Sequence, residues 1–202
     1  MTLLNLDDPI SLALLTAEHL TAARVEHALC GGLALAAYGR PRETKDADVS
    51  VLDANAQQVA EALEHSGALV SVTFERVRFG GLILSRVTIM GEGATTGLNM
   101  VDLVQPRSAR FARDVLTRSI EAPLRGVPIH VVSPEDFILL KVLSTRDSDI
   151  ADAATVLARD PASIDLVAIE AEVAALASEI TDHPVADRWR ACAARTASLP
   201  VG

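Results

Sequence analysis

The chain has 202 residues, of which 50% are hydrophobic and 22% charged, and its formal net charge is −9. This length suits one domain, or a core domain with a smaller partner. The negative net charge argues against a protein surface that is basic overall and binds a long nucleic acid. The two cysteines lack metal-ligand spacing, which argues against a structural zinc site or a disulfide framework.

Neither a membrane span nor a secretory signal is predicted. No apolar run approaches the roughly 18–20 residues that cross a bilayer. The first apolar run follows no basic residue, unlike a signal peptide. We therefore expect a cytoplasmic protein, in which Cys30 is a small buried residue at a strand end rather than a nucleophile.

In chain order, the first ninety residues alternate between predicted helices and strands: helix 9–28, strand 27–31, helix 32–39, strand 46–52, helix 55–66, and strands 69–78 and 82–90. Asp53 is the predicted N-cap of helix 55–66. Gly80-Gly81 predicts a hairpin turn. In the strand after this turn, the alternation of apolar residues indicates a slip between Leu84 and Val87.

The second half of the chain is predicted to become helical: loop 91–97, strand 98–104, helix 107–117, strands 119–124 and 127–132, a helix from 134, and helices 163–179 and 184–198. Ser133 is the predicted N-cap of the helix that begins at Pro134. We expect residues 1–133 to form the core and residues 134–202 a C-terminal helical region.

Strand 46–52 carries the main candidate site. Alternation places Asp46, Asp48 and Ser50 on one face of the strand. Two carboxylates this close repel each other, so they need a cation, and divalent metals prefer carboxylate oxygens. Upstream, the Gly31-Gly32 turn leads into a helix whose first N–H groups favour an anionic phosphate.

Two charged residues are predicted in apolar surroundings. Asp102 shares a face of strand 98–104 with three apolar residues, and burying it unpaired would cost several kcal/mol. It therefore requires a compensating partner, unless it lies in solvent at the strand end or pairs with an arginine. Lys141 lies in the middle of an apolar helix, where it either extends its amine to solvent or meets an anion.

Helix 107–117 is the most basic local segment, with four arginines in and beside it: Arg107, Arg110, Arg113 and Arg118. These side chains either form a solvated helix face or bind an acceptor. The solvated face is the favoured interpretation.

The order of these motifs resembles the nucleotidyltransferase superfamily. The first motif runs Gly31-Gly32-x-Ala34, Gly39-Arg40 and Arg42-x-Thr44-x-Asp46-x-Asp48, with 13 residues between Gly32 and Asp46. It is similar to small bacterial members related to the AbiEii-type toxins. A second motif runs Pro134-Glu135-Asp136 to Lys141, then Arg146-x-x-Asp149-x-x-Asp152. The resemblance implies an α+β fold, a nucleotidyltransferase-like mixed β-sheet flanked by helices with a C-terminal helical region.

The resemblance also implies roles for particular residues. Asp46, Asp48 and Asp102 would be catalytic and hold Mg²⁺. The residues implied to bind the nucleotide are Gly31, Gly32, Arg42, Thr44, Lys45, Lys141 and Arg146. Asp149 and Asp152 would orient these cations or cap the following helix. An internal salt-bridge network that joins two helices is the alternative for Lys141 and these aspartates.

The implied reaction is Mg²⁺-dependent transfer of NMP from an NTP such as ATP to an acceptor hydroxyl. The AbiEii-type resemblance implies a toxin-like enzyme that modifies RNA or tRNA, with a cognate antitoxin as partner. Small-molecule nucleotidyltransferases that modify aminoglycosides or lincosamides are an alternative, because a cationic drug suits an acidic protein. A nucleotide-binding or interaction module of the same fold, without turnover, is a further alternative.

Overall fold

The computed structural model describes residues 8–38, 44–90, 98–159 and 161–199. The elements in chain order are α1 (Pro9–Ala22), β1 (His27–Cys30), α2 (Gly31–Ala37), β2 (Ala47–Val51), α3 (Ala56–Glu64), β3 (Leu69–Phe79), β4 (Leu82–Met90), β5 (Leu98–Pro106), α4 (Ala109–Thr117), β6 (Ile120–Leu124), β7 (Val127–Val131), α5 (Pro134–Leu143), α6 (Asp147–Arg159), α7 (Leu166–Glu179) and α8 (Val185–Ala197). No helix within the described residues is long and apolar enough to cross a membrane.

The strands form one mixed sheet in the order β3-β4-β5-β2-β1-β7-β6. β2 runs parallel to β5, and β1 runs parallel to β7. The other neighbouring pairs are antiparallel. Helices α1, α3 and α4 contact the strands, while α5 to α8 pack on one another. The predicted α+β fold is therefore confirmed, whereas the division at residue 133 remains a proposal.

Several local predictions can be compared with the observed elements. The Ser133 hydroxyl accepts a hydrogen bond from the Asp136 N–H, which confirms Ser133 as the N-cap of α5. Asp53 does not cap α3, since Asn55 does so through a reciprocal capping box with Gln58. α1 ends at Ala22, earlier than predicted. The predicted loop 91–97 lies outside the described residues.

The predicted slip in β4 is wrong. The pairing of β4 with β5 is continuous from Leu82 opposite Pro106 to Met90 opposite Leu98. The irregularities lie instead in β3, between Val72 and Phe74 and again between Phe74 and Val77. β4 has buried residues on both of its faces. In the sequence, the apolar residues therefore change from one face to the other, which looks like a slip in the alternation.

The turn between β3 and β4 is attached to the C-terminal helices. The Gly81 N–H donates a hydrogen bond of 2.8 Å to the Leu143 carbonyl at the end of α5. Arg107 donates to the Gly80 carbonyl at 2.9 Å and also forms an ion pair with Asp182, in the turn between α7 and α8. These contacts fix the position of Phe79, the last residue of β3.

Gly80→Ala is expected to destabilise the fold by roughly 2–4 kcal/mol, because two penalties add. Gly80 has a φ of +63°, and an added Cβ would lie 2.7 Å from the Leu143 carbonyl oxygen. Gly67→Ala is the matched control, since Gly67 has a φ of +83° and no atom within 4 Å of such a Cβ. Urea unfolding measures both losses, and equal losses would contradict the docking role of the turn.

Candidate active site

Four side chains form a row across four neighbouring strands. Arg86 of β4 lies opposite Asp102 of β5, which lies beside Asp48 of β2. Asp48 in turn lies opposite Cys30, the last residue of β1. Cross-strand partners project from the same face of a sheet, so these groups share one surface. The row brings together two carboxylates that are far apart in the sequence.

This surface is the floor of a cleft of about 370 Å³, covered on one side by α5. Eight of the ten candidate site residues line it: Gly31, Thr44, Lys45, Asp46, Asp48, Asp102, Lys141 and Arg146. Gly32 donates its backbone N–H to the Asp48 carboxylate. Arg42 lies outside the described residues. The apolar part of the cleft, which sequence reasoning did not identify, is lined by Phe79, Leu82, Leu84, Val104, Phe137 and Leu140.

Gly31 and Gly32, the predicted turn, are the first two residues of α2 and closely surround the Asp48 carboxylate. Gly31 has a φ of +63°, and a Cβ at this position would lie 1.9 Å from Asp48 Oδ2. The N–H of Gly32 donates to the same side chain. Only glycine combines this backbone conformation with so close an approach. The turn and the carboxylate are therefore one unit of the site.

The pKa of Asp48 is strongly raised. Burial, together with the neighbouring charges of Asp46 and Asp102, raises the pKa of Asp48 to about 7, against the opposing effects of Lys141 and the Gly32 N–H. The predicted burial of Cys30 is confirmed, since it is 2% exposed. Burial and the charge of Asp48 raise the pKa of the Cys30 thiol, which disfavours its thiolate.

Asp48→Asn is expected to stabilise the metal-free protein at about pH 8 by up to roughly 4 kcal/mol. The folded-state pKa of Asp48 is about 7, against an ordinary value of 3.8 for an aspartate, so the folded state binds the proton more tightly. The contribution of Asp48 to the free energy of unfolding of the wild type therefore falls as the pH rises from about 4 to about 7, and then levels off. Urea unfolding with EDTA should show no advantage of the variant below about pH 4. A loss of stability at both pH values would contradict this interpretation.

Asp102 is paired with an arginine, one of the alternatives that the sequence left open. Arg86 Nε lies 2.6 Å from Asp102 Oδ1, and Arg86 Nη2 lies 2.7 Å from Oδ2. Asp102 is 5% exposed, so the ion pair is largely desolvated on its acidic side. The hydrogen bonds to Asp102 raise the pKa of Arg86, despite the opposing effect of burial. Arg86 also lies over the Phe74 ring at 5.5 Å from its centroid.

Lys141 joins α5 to α6. Its ammonium forms ion pairs with Asp149 at 2.5 Å and Asp152 at 3.5 Å, and it lies 5.5 Å from the centroid of the Phe137 ring. The Ser144 hydroxyl donates to the other oxygen of Asp149. Burial lowers the pKa of Lys141, but the charge and hydrogen bond of Asp149, together with the charges of Asp48 and Asp152, outweigh this effect and the pKa is raised. The internal network is present, and its lysine also faces the cleft.

Arg146 closes the far end of the cleft. Its guanidinium lies 5.1 Å from the centroid of the Phe79 ring, at the docked hairpin turn. The Arg146 carbonyl accepts a hydrogen bond of 2.8 Å from Arg188 of α8. Its predicted contact with the nucleotide remains a prediction.

The arginines around α4 are mostly engaged within the protein. Arg110 binds Glu172 at 2.5 Å and Glu179 at 2.8 Å, both on α7. The ion pair of Arg107 has been described above, and Arg118 forms two hydrogen bonds with the buried Asp136. Arg113 is exposed. This segment connects elements of the fold and is not a free basic surface.

The carboxylates can be tested for their fit to a divalent metal. Asp46 and Asp48 present hard oxygen donors at the cleft, and a cation would relieve the repulsion between their charges, which adds to burial in raising the pKa of Asp48. Asp102 has both oxygens on Arg86. Within the described ranges, no group of three or more histidine, cysteine, aspartate or glutamate residues is arranged to hold a metal. Asp46 and Asp48 therefore fit such an ion, and Asp102 in this arrangement does not.

The sheet and its carboxylate-lined cleft define a nucleotidyltransferase-like protein, and the comparison with family models agrees. The chain belongs to the family described as "Nucleotidyltransferase of unknown function (DUF6036)", whose model matches residues 2–190. No curated protein sequence matches the chain significantly. The narrower AbiEii-type relationship remains a prediction.

Solved structures share the fold at low sequence identity. The antigenic nucleotidyltransferase-like protein from Paracoccidioides brasiliensis is 17% identical with a TM-score of 0.51, over 92% of this chain and 93% of that chain. The solution structure of the antibiotic-resistance factor ANT(2'')-Ia is 15% identical with a TM-score of 0.53, over 86% and 93% of the two chains. A crystal structure of ANT(2'')-Ia with adenylyl-2''-tobramycin has a TM-score of 0.44 at 16% identity, over 92% and 97%.

Proposed function

We propose that this protein is a Mg²⁺-dependent nucleotidyltransferase that transfers NMP from an NTP, with ATP as the first candidate, to an acceptor hydroxyl. One observation supports the proposal above all: a glycine turn, two adjacent carboxylates and the cations Lys45, Lys141 and Arg146 converge on one cleft. These groups suit a metal–triphosphate complex, which carries both phosphate oxygens and a hard cation.

Each group has a distinct task in this proposal. Asp46 and Asp48 hold the cation, and Thr44 orients Asp46 through a hydrogen bond of 3.0 Å from its hydroxyl. Gly31 presents its backbone N–H group to the phosphates, and Gly32 does so once a bound cation has replaced its N–H at the Asp48 carboxylate. Lys45, Lys141 and Arg146 offset the phosphate charge. Arg42 would do the same. Bound Mg²⁺ supplies charge stabilisation for the oxygens of the transferring group.

The proposed step is an in-line displacement at the α-phosphorus. The acceptor oxygen forms a bond to phosphorus while the bond to the pyrophosphate oxygen breaks, and pyrophosphate leaves with the electron pair. Asp102 is the carboxylate that takes the acceptor proton, once Arg86 has released one of its oxygens. The protein contributes mainly positioning and electrostatics.

A small cationic molecule with hydroxyl groups is the acceptor that we favour. The net charge is −9, and three of the four arginines in or beside α4 are occupied by acidic partners within the fold. Long nucleic acids require a run of available cations, which this segment does not offer. An aminoglycoside-like molecule would instead be attracted to a protein with a net charge of −9.

RNA is the second candidate acceptor, and tRNA in particular. It is supported by the motif of residues 31–48, which is similar to AbiEii-type toxins. In that case the enzyme would be toxin-like and would have a cognate antitoxin as partner.

The test incubates purified protein with Mg²⁺ and each α-labelled NTP, alone or with an aminoglycoside and lincosamide panel or total tRNA. Label on a drug supports the favoured acceptor, and label on RNA supports the second candidate. Asp53→Asn is a control variant that should transfer NMP like the wild type, since Asp53 is exposed and outside the cleft. Mg²⁺-dependent NTP binding without transfer would indicate a binding module, and no NTP binding would overturn the proposal.

A further inference from the structure

The ion pair of Arg86 with Asp102 occupies the oxygens that a third metal ligand would need. Both guanidinium contacts are short, at 2.6 Å and 2.7 Å, and each engages a different carboxylate oxygen. The paired side chains are 24% exposed for Arg86 and 6% for Asp102. A divalent cation and a guanidinium on the same oxygens repel each other, so they compete for this carboxylate.

Arg86 is fixed in this position by the sheet itself. It lies directly opposite Asp102 in the continuous register of β4 with β5, and its guanidinium lies over the Phe74 ring of β3. Arg86 lies next to the cleft without lining it. The row runs from Arg86 through Asp102 to Asp48, and the two aspartates do line the cleft. The arginine is therefore a fixed neighbour of the candidate metal site.

We propose that Arg86 is the resident counter-ion of Asp102 and competes with a divalent cation for it, so that Arg86 sets the metal affinity of the site. In the nucleotide-free protein the cation is held by Asp46 and Asp48, and Asp102 becomes a ligand only when Arg86 leaves. This inference rests on the proposed function, since it assumes that Asp46 and Asp48 bind the metal. Arg86 is a positioning residue, because it acts through Asp102.

The formal charges explain why one arginine matters. The three carboxylates carry three negative charges, and Arg86 neutralises one of them. The remaining two match one divalent cation. Removing Arg86 restores the third charge at a largely buried position, where it strengthens cation binding more than it would in water.

The experiment measures Mn²⁺ binding without nucleotide at about pH 8, from the electron paramagnetic resonance signal of the free ion. Arg86→Met is expected to tighten Mn²⁺ binding about tenfold. Asp102→Asn in the wild-type background leaves the charge of Arg86 uncompensated and should weaken Mn²⁺ binding, but by less than it does in the Arg86→Met background, because Asp102 is a ligand only without Arg86. In the Arg86→Met background, Asp102→Asn should abolish the gain. The effects of Arg86→Met and Asp102→Asn on Mn²⁺ affinity should therefore not add, and this non-additivity would support the proposal.

Arg86→Met leaves a buried carboxylate unpaired, so its folding needs a control. Arg86→Lys keeps the charge but cannot reproduce the bidentate contact, and it should give an intermediate affinity. Thermal unfolding provides a second measurement. Mn²⁺ should raise the Tm of Arg86→Met more than that of the wild type, because the ion replaces the missing partner of Asp102.

Unchanged or weaker Mn²⁺ binding by both Arg86 variants would overturn the inference. So would an Asp102→Asn effect in the wild type as large as that of Asp48→Asn, because Asp102 would then be a ligand beside Arg86. Failure of the proposed function gives a different result: Asp46→Asn and Asp48→Asn would leave Mn²⁺ binding unchanged, and the protein would not bind NTP.

Discussion

The double variant Asp46→Asn, Asp48→Asn is expected to lose nucleotidyl transfer by at least about a thousandfold while it keeps its fold. Both carboxylates line the same cleft as Gly31. Amides have the shape of carboxylates but lack the charge that holds a divalent cation. Transfer from α-labelled NTP to whichever acceptor the wild type labels measures the effect.

The stability of the double variant separates lost chemistry from lost structure. Because the charge of Asp48 is costly in the folded state, the amide variant should be at least as stable as the wild type at about pH 8 without metal. Asp53→Asn should leave both transfer and stability unchanged. Substantial transfer by the folded double variant would show that the metal assignment is wrong.

Gly31→Ala is expected to be the most damaging single methyl addition at the site. Its Cβ would lie 1.9 Å from Asp48 Oδ2, at a residue with a φ of +63°. Either the turn or the carboxylate must move, so the two halves of the candidate phosphate and metal site lose their mutual position. We expect a loss of transfer of at least about a hundredfold, since misplacement of about 1 Å can have this effect.

Gly126→Ala provides the matched control for Gly31→Ala. Gly126 has a φ of +79°, and no atom lies within 4 Å of an added Cβ. This variant should show the backbone penalty of roughly 1–2 kcal/mol but normal transfer. If both variants kept full activity, the close packing of the turn around Asp48 would have no functional role.

The central part of the site could be predicted from local sequence, because it depends on local rules. The Gly31-Gly32 turn and the Asp46 and Asp48 pair lie within a single strand–helix–strand unit, and alternation along β2 determines the face. The helix that begins at Pro134 has a capping residue and a Pro at its start, so its beginning was also predictable.

Arg86 could not be recognised because β4 is buried on both faces. Val87 and Ile89 are fully buried on one face, while Leu82 and Leu84 share the other with Arg86. The apolar pattern of the sequence therefore predicts a slip after Leu84. With that slip, Arg86 is no longer assigned to the face of Leu82 and Leu84. The signal that could have identified it is the uninterrupted alternation of Leu82, Leu84 and Arg86, read together with the buried Asp102.

The partner of Lys141 could not be chosen from sequence for a different reason. Asp149 and Asp152 follow it on the next helix, and their reach depends on the angle between α5 and α6, which no local pattern specifies. Gly80-Gly81 likewise predicted a turn but not its docking on Leu143. Tertiary packing decides both contacts.

The register of β5 also has a consequence for the order in which the chain folds. Arg86 and Asp102 are 16 residues apart and meet through an antiparallel pair, whereas Asp48 reaches Asp102 only through the parallel pairing of β2 with β5. Contacts between distant parts of a chain close more slowly than local ones. Arg86 should therefore have neutralised Asp102 before Asp48 arrives, so that two like charges never meet unscreened during assembly of the sheet.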